Sequence, residues 1–323
     1  MQDIYPWQQH QWSHLNALLA QGRFPHALLL HGSKNLGKRL FALALAKRLL
    51  CRTKGAQACE HCQSCYLLRS GNHPDLHLIE PLEKAKAIKV EQVRALVATL
   101  AQTSQQGGKR VAIFYPAEAM NMAAANALLK TLEEPLNDVI FLLVSHEPSN
   151  IPATVRSRCQ RAGFSVPGAS VGRAWLKVQS PEIEKLDELL ALAENIPLSA
   201  FNLSRGEGLS AYIKVITCFL DVCLSNVSPS QAGALMLNIS TDCVFNALWS
   251  VTTGMIRLKL GGIEMGAIQY AEKLREASRH INLEQLFKLI DELMVFKKKV
   301  NSKVALNHQL LLEDLLIACA QRS

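Results

Sequence analysis

Ala27-Leu-Leu-Leu-His31 runs directly into Gly32-Ser33-Lys34-Asn35-Leu36-Gly37-Lys38-Arg39. The first stretch reads as a buried strand. The second has the G-x-x-x-x-G-K spacing of a phosphate-binding loop, and Lys38 to Leu50 (KRLFALALAKRLL) continues as a helix. Glycines let backbone N–H groups curl around an anion, and a lysine neutralises it. Gly32, Gly37 and Lys38 are therefore the candidate nucleotide contacts, with occupancy by ATP left open. The position after Lys38 should carry a Ser or Thr hydroxyl for Mg²⁺, but it is Arg39, which cannot coordinate a cation. No Mg²⁺ is expected.

Strand-like and helix-like segments alternate outward from this loop. Leu76 to Ile79, Val111 to Tyr115 and Val139 to Val144 read as strands, and Val90 to Leu100 and Ala123 to Leu132 as helices. Apolar strands interleaved with helices imply a parallel sheet covered on both faces, an α/β domain. A phosphate-loop ATPase needs an acidic pair at the end of a later strand. Here Arg110-Val-Ala-Ile-Phe-Tyr115-Pro116-Ala-Glu118 places Tyr115 and Pro116 there, and Glu118 reads as an exposed or capping carboxylate. Two defects in one function argue against hydrolysis by the chain itself.

Strand patterns stop after about Pro167. Pro181 to Leu203 is a short helical segment, and from Leu209 helical periodicity dominates, with Gly261-Gly262 marking a turn. The 323 residues carry a formal charge of +8 with no dense basic tract, which permits contact with a polyanion without specifying one. No apolar run reaches the roughly 18 residues of a bilayer span, and the N-terminus lacks a signal-peptide pattern. A soluble, cytoplasmic protein with no membrane partner is expected.

Four of the nine cysteines are spaced Cys51-x7-Cys59-x2-Cys62-x2-Cys65. Clustering of this kind in a cytosolic chain points to metal rather than disulfides. Tetrahedral Zn²⁺ suits four thiolates in a closed, structural site. The triplet also has iron–sulfur spacing, but Cys65 is followed by Tyr66 rather than the proline of that pattern. Zinc is the favoured reading, with His61 pointing outward. The remaining cysteines read as buried free thiols.

Three further motifs carry a family resemblance. Asn126-Ala-Leu-Leu-Lys-Thr-Leu-Glu-Glu-Pro135 is similar to the signature of clamp-loader subunits, Phe141 to Pro148 (FLLVSHEP) resembles their sensor 1 strand and loop, and Ser157-Arg158-Cys159 resembles their S-R-C motif. The chain thus resembles the AAA+ clamp-loader family of bacterial DNA polymerase III. The missing hydroxyl at Arg39, the missing acidic pair and Leu198 in place of the sensor 2 arginine match its delta-prime pattern.

The resemblance implies an α/β AAA+ domain with the zinc module (residues 1–166, the module at about 51–65), a small helical lid (167–207) and an all-α collar (208–323). It implies a structural role in a heteropentamer with ATPase subunits and a delta subunit, which loads the sliding clamp on primed DNA as part of the polymerase holoenzyme. Arg158 is implied to act in trans as an arginine finger, a guanidinium that neutralises charge developing on a neighbour's ATP. Arg156 and Arg161 read as surface salt-bridge residues. Two other readings remain: an autonomous AAA+ ATPase, which predicts turnover lost on Lys38→Ala, and a zinc-dependent nucleic-acid-binding protein, which predicts salt-sensitive binding lost on Cys59→Ser.

Overall fold

The computed structural model describes residues 4–320 apart from 54, 83–86, 107, 182, 184–185, 206–207, 262–269 and 302–307. The chain divides into two compact units, Met1–Pro167 and Gly168–Ser323.

The first unit is built on a five-stranded sheet. Its elements in chain order are α1 (Gln9–Ala20), β1 (Ala27–Gly32), α2 (Lys38–Leu50), α3 (Gln63–Arg69), β2 (Leu76–Ile79), α4 (Val90–Leu100), β3 (Arg110–Phe114), α5 (Met122–Glu133), β4 (Val139–Ser145), α6 (Ala153–Arg156) and β5 (Gln160–Phe164). The strand order is β2-β3-β4-β1-β5, and every pairing is parallel. All seven residues of β4 are buried, as expected for a strand covered on both faces. Ala27, Leu29, Phe114, Phe141 and Leu143 point into a core shared with Leu96 of α4 and Leu128 and Leu132 of α5. On β5, Phe164 meets Phe41 of α2 edge-on at 5.0 Å, and Phe41 meets Trp12 of α1 at 5.7 Å.

Two elements of the sheet unit show why part of it escaped the sequence reading. In β5 the burial pattern leaves only Phe164 fully inside, so this edge strand lacks the apolar run that marks its neighbours. Helix α1 buries only Trp12 and Leu15 and has no side-chain cap.

The second unit is helical: α7 (Ala169–Gln179), α8 (Leu186–Leu192), α9 (Pro197–Leu203), α10 (Gly208–Cys223), α11 (Pro229–Met236), α12 (Thr241–Lys259), α13 (Ala271–His280), α14 (Leu283–Asn301) and α15 (His308–Ala320). Val215, Phe219, Leu248, Met255, Leu293 and Leu316 belong to one core cluster. The Tyr212 hydroxyl reaches the carbonyls of Leu192 and Asn246 at 3.0 and 3.1 Å. Of the expected glycine turn, Gly261 has φ 76° and Gly262 lies outside the described residues. Among the described residues no helix is long and apolar enough to cross a membrane.

Gly32 closes β1 at φ 147°, and a β-carbon there would lie 2.1 Å from the Phe164 carbonyl oxygen of the paired strand. The close approach of two backbones, together with the left-handed φ, admits only glycine. Gly32→Ala is expected to destabilise the chain by about 1–3 kcal/mol, the range of overpacking and backbone strain. A lowered denaturant midpoint at constant slope would register it, and an unchanged midpoint would contradict it.

Candidate functional site

The four clustered cysteines are assembled by the end of α2, the loop after it and the start of α3. Their Sγ atoms all lie within 4.8 Å of one another, with Cys59 and Cys65 at 3.9 Å. Four sulfurs at about 2.3 Å from one tetrahedral ion stand about 3.8 Å apart, so this donor set fits a metal ion. The Cys62 sulfur accepts the Cys65 backbone N–H at 3.5 Å, and the Cys51 sulfur accepts that of Cys59 at 3.3 Å. The Thr53 hydroxyl, ahead of the His61 backbone, pushes the Cys59 thiol down to about 5, whereas burial pushes Cys65 up to about 12. His61 is exposed, its Nδ1 2.6 Å from the Cys59 carbonyl. Behind the cluster, Ser64 on α3 donates to the Leu50 carbonyl and meets His73 Nε2 at 2.8 Å, tying the module to the sheet domain.

Arg158 lies between α6 and β5. The register that pairs Leu28 with Gln160 and Gly32 with Phe164 shows β5 beginning level with the start of β1. Arg158, two residues before Gln160, therefore sits at the opposite end of the sheet from the phosphate loop. Four residue steps, on the order of 13 Å, separate those two rows. Its Nη1 donates to the Thr154 carbonyl at 2.8 Å and its Nη2 pairs with the Glu133 carboxylate. Val155 and Cys159 nearby are buried, and burial pushes the Cys159 thiol up to about 11, away from the thiolate form. Contrary to expectation, Arg156 and Arg161 form no ion pair among the described residues. The Arg156 Nε is buried without a partner.

The phosphate loop sits at the C-terminal edge of the sheet, where parallel sheets bind their ligands. Gly37, at φ 80°, opens α2. Lys38 is only 2% exposed. Its ammonium donates to the Gly32 carbonyl (2.7 Å), the Ser33 carbonyl (2.6 Å) and His146 Nδ1 (2.9 Å). An ammonium has three protons, and all three have acceptors within the chain. Burial lowers the Lys38 pKa to about 8, against the raising influence of Glu118.

The N-terminal segment closes over the same loop. Trp7 Nε1 and Gln8 Nε2 both donate to the Leu36 carbonyl, at 3.1 and 2.8 Å. The Tyr5 ring comes so close that a β-carbon on Gly37 would meet it at 2.4 Å. These three residues, some thirty positions from their partners, carry no local motif that sequence reading could detect.

At the expected metal position, Arg39 Nε donates to Glu80 at 2.9 Å while its guanidinium lies 5.4 Å from the centre of the Tyr115 ring. Arg39 thus makes a cation–π contact with Tyr115. Glu118, expected to be an exposed or capping carboxylate, instead accepts the His146 backbone N–H at 2.9 Å, with its second oxygen buried and unpartnered among the described residues. The reason is that β3 and β4 are adjacent, which brings the loops after them together.

Burial, then the neighbouring Lys38, lowers the His146 pKa from 6.5 to about 4. The unfolded chain binds this proton first as pH falls, so the associated stability is complete above 6.5 and is lost between 6.5 and 4. His31, His73 and His77 are shifted the same way by burial. The melting temperature should fall across that window, and His146→Asn should make the fall shallower. An identical slope in the variant would remove His146 from the account.

A family profile described as DNA polymerase III, delta subunit, matches residues 7–167. Along 326 residues the chain is 38% identical to DNA polymerase III subunit delta′ of Pseudomonas aeruginosa, covering 99% of this chain and 98% of that one. The Escherichia coli protein of the same name is 28% identical over 97% of this chain and 94% of its own. Among solved structures, the chain is similar to a DNA polymerase III gamma subunit-related protein from Thermotoga maritima (TM-score 0.48, 18% identity, 97% of this chain and 99% of that one). By its likeness to the Pseudomonas aeruginosa protein, which spans both units, the chain belongs to the family of DNA polymerase III delta′ subunits.

Proposed function

We propose that this chain is a non-hydrolysing, structural subunit of the DNA polymerase III clamp loader. In this reading it joins ATPase subunits and a delta subunit in a cytoplasmic heteropentamer that opens the sliding clamp and sets it on primed DNA. The observation that carries the reading is the state of Lys38. A phosphate-loop lysine whose three protons are taken by its own loop and His146 has no donor for nucleotide. The Arg39–Glu80 pair occupies the position from which Mg²⁺ would be held. The chain leaves hydrolysis to its partners.

Arg158 supports the other half of the reading. Lying at the sheet end remote from its own loop, it is suited to a neighbour's ATP and presents a guanidinium for charge that develops on the γ-phosphate. Residues 167–207 form the lid and 208–323 the collar through which the ring assembles. Cys51, Cys59, Cys62 and Cys65 hold a structural Zn²⁺, which cross-links a loop with too little core to fold alone.

The ATPase rate of a reconstituted loader with clamp and primed DNA tests the proposal. With Arg158→Ala in an intact assembly the rate should drop tenfold or more, within the range attributed to arginine fingers. The isolated chain should be silent. An unchanged rate with Arg158→Ala, or Lys38-dependent turnover by the chain alone, would sink the reading. For the metal, mass spectrometry of protein purified without chelator should find about one zinc per chain, with Cys62→Ser reducing both zinc content and melting temperature. Metal-free wild-type protein of undiminished stability would reject the zinc module.

A further inference from the structure

The Asn126–Pro135 signature contains Glu133. Glu133 is the last residue of α5, and its carboxylate faces the guanidinium of Arg158. The pair is superficial, with Glu133 49% and Arg158 33% exposed. An ion pair this wet adds little to stability. Its geometry is another matter. Nη1 is fixed by the Thr154 carbonyl of α6 and Nη2 by Glu133 of α5, so two elements grip one planar group. Those elements are anchored beneath by Leu128, Leu132 and Val155, which share one core cluster. Nε–H and one N–H on each terminal nitrogen have no partner among the described residues.

An arginine left free would have to give up its rotamer freedom on entering a neighbour's site. A group already held with donors to spare gives up less, which is the essence of preorganised charge stabilisation. Arg156, two residues earlier, shows the contrast, since its Nε is buried with no hydrogen-bond partner among the described residues. We infer that Glu133 is a positioning residue for Arg158: with Thr154 it clamps the guanidinium so that its open N–H groups are presented in order to a phosphate of the adjacent subunit. The inference rests on the proposed finger role of Arg158. A triphosphate carries more charge than one carboxylate, so the clasp does not compete with the target.

A double-mutant cycle in the reconstituted loader, with clamp and primed DNA, tests this. Glu133→Ala should lower kcat for ATP about two- to fivefold, the most an exposed pair can contribute, with KM for ATP and assembly unchanged. Glu133→Gln, which keeps an oxygen acceptor for Nη2, should lie between it and the wild type. In an Arg158→Ala background, Glu133→Ala should have no further effect. An equal loss in both backgrounds would show that Glu133 acts by another route, and a raised kcat would make the contact a brake; either overturns the inference. If Arg158→Ala alone leaves the rate unchanged, the finger reading itself fails, and the inference with it.

Discussion

A buried ammonium must have every proton accepted, and the surroundings of Lys38 are organised by that requirement. Leaving such a group short of partners costs several kcal/mol, so its acceptors must be fixed in place. Two of them are carbonyls of the loop itself, which closes the loop upon its own lysine. The third, His146, must stay neutral to accept, and burial next to a cation keeps it so. Glu118 then holds the His146 backbone and supplies the compensating negative charge. The ends of β1, β3 and β4 are thereby tied into one polar knot. It lies at the sheet edge where a parallel sheet's ligands bind.

The two ends of the sheet consequently have different characters. At the C-terminal edge Lys38 is satisfied by its own loop and His146, and Tyr5, Trp7 and Gln8 close over that loop. At the N-terminal edge Arg158 keeps unspent donors on a partly exposed side chain. One site is turned inward and the other outward: the phosphate loop follows β1 and leads into α2, whereas Arg158 follows α6 and leads into β5. Parallel register links them: because β5 pairs with β1 along its full length, the positions of Gly32 and Arg158 are set by a single strand pairing.

Much of the first unit was legible in the sequence. The predicted strands over 27–31, 76–79 and 111–115 fall within one residue of β1, β2 and β3. The edge strand β2, with no fully buried residue, was read from its short LHLI run. Strands β1 and β3 were legible because strands buried on both faces are written as apolar runs. The same rule hid β5, an edge strand with polar positions, and α1, whose contribution to the core is two side chains. The cysteine spacing revealed a cluster because all its donors are close in sequence. By contrast the seal of Tyr5, Trp7 and Gln8 over Leu36 and Gly37, and the meeting of Glu118 with His146, are long-range packing facts. Arg156 misled for a related reason: a cation in a loop reads as a surface ion pair, and only the fold reveals that its Nε is buried.

The contact of Arg39 with Glu80 and Tyr115 has an evolutionary consequence. Arg39→Thr would restore a hydroxyl beside the loop, yet it would strand the Glu80 carboxylate and leave an aromatic ring where an acidic residue is needed. Lys38 would still be held by its three acceptors, and Tyr5 would still lie against Gly37. No single substitution would supply a metal site, because Arg39, Glu80 and Tyr115 are held by one another. A metal-binding loop at this position would therefore demand several coordinated changes at once.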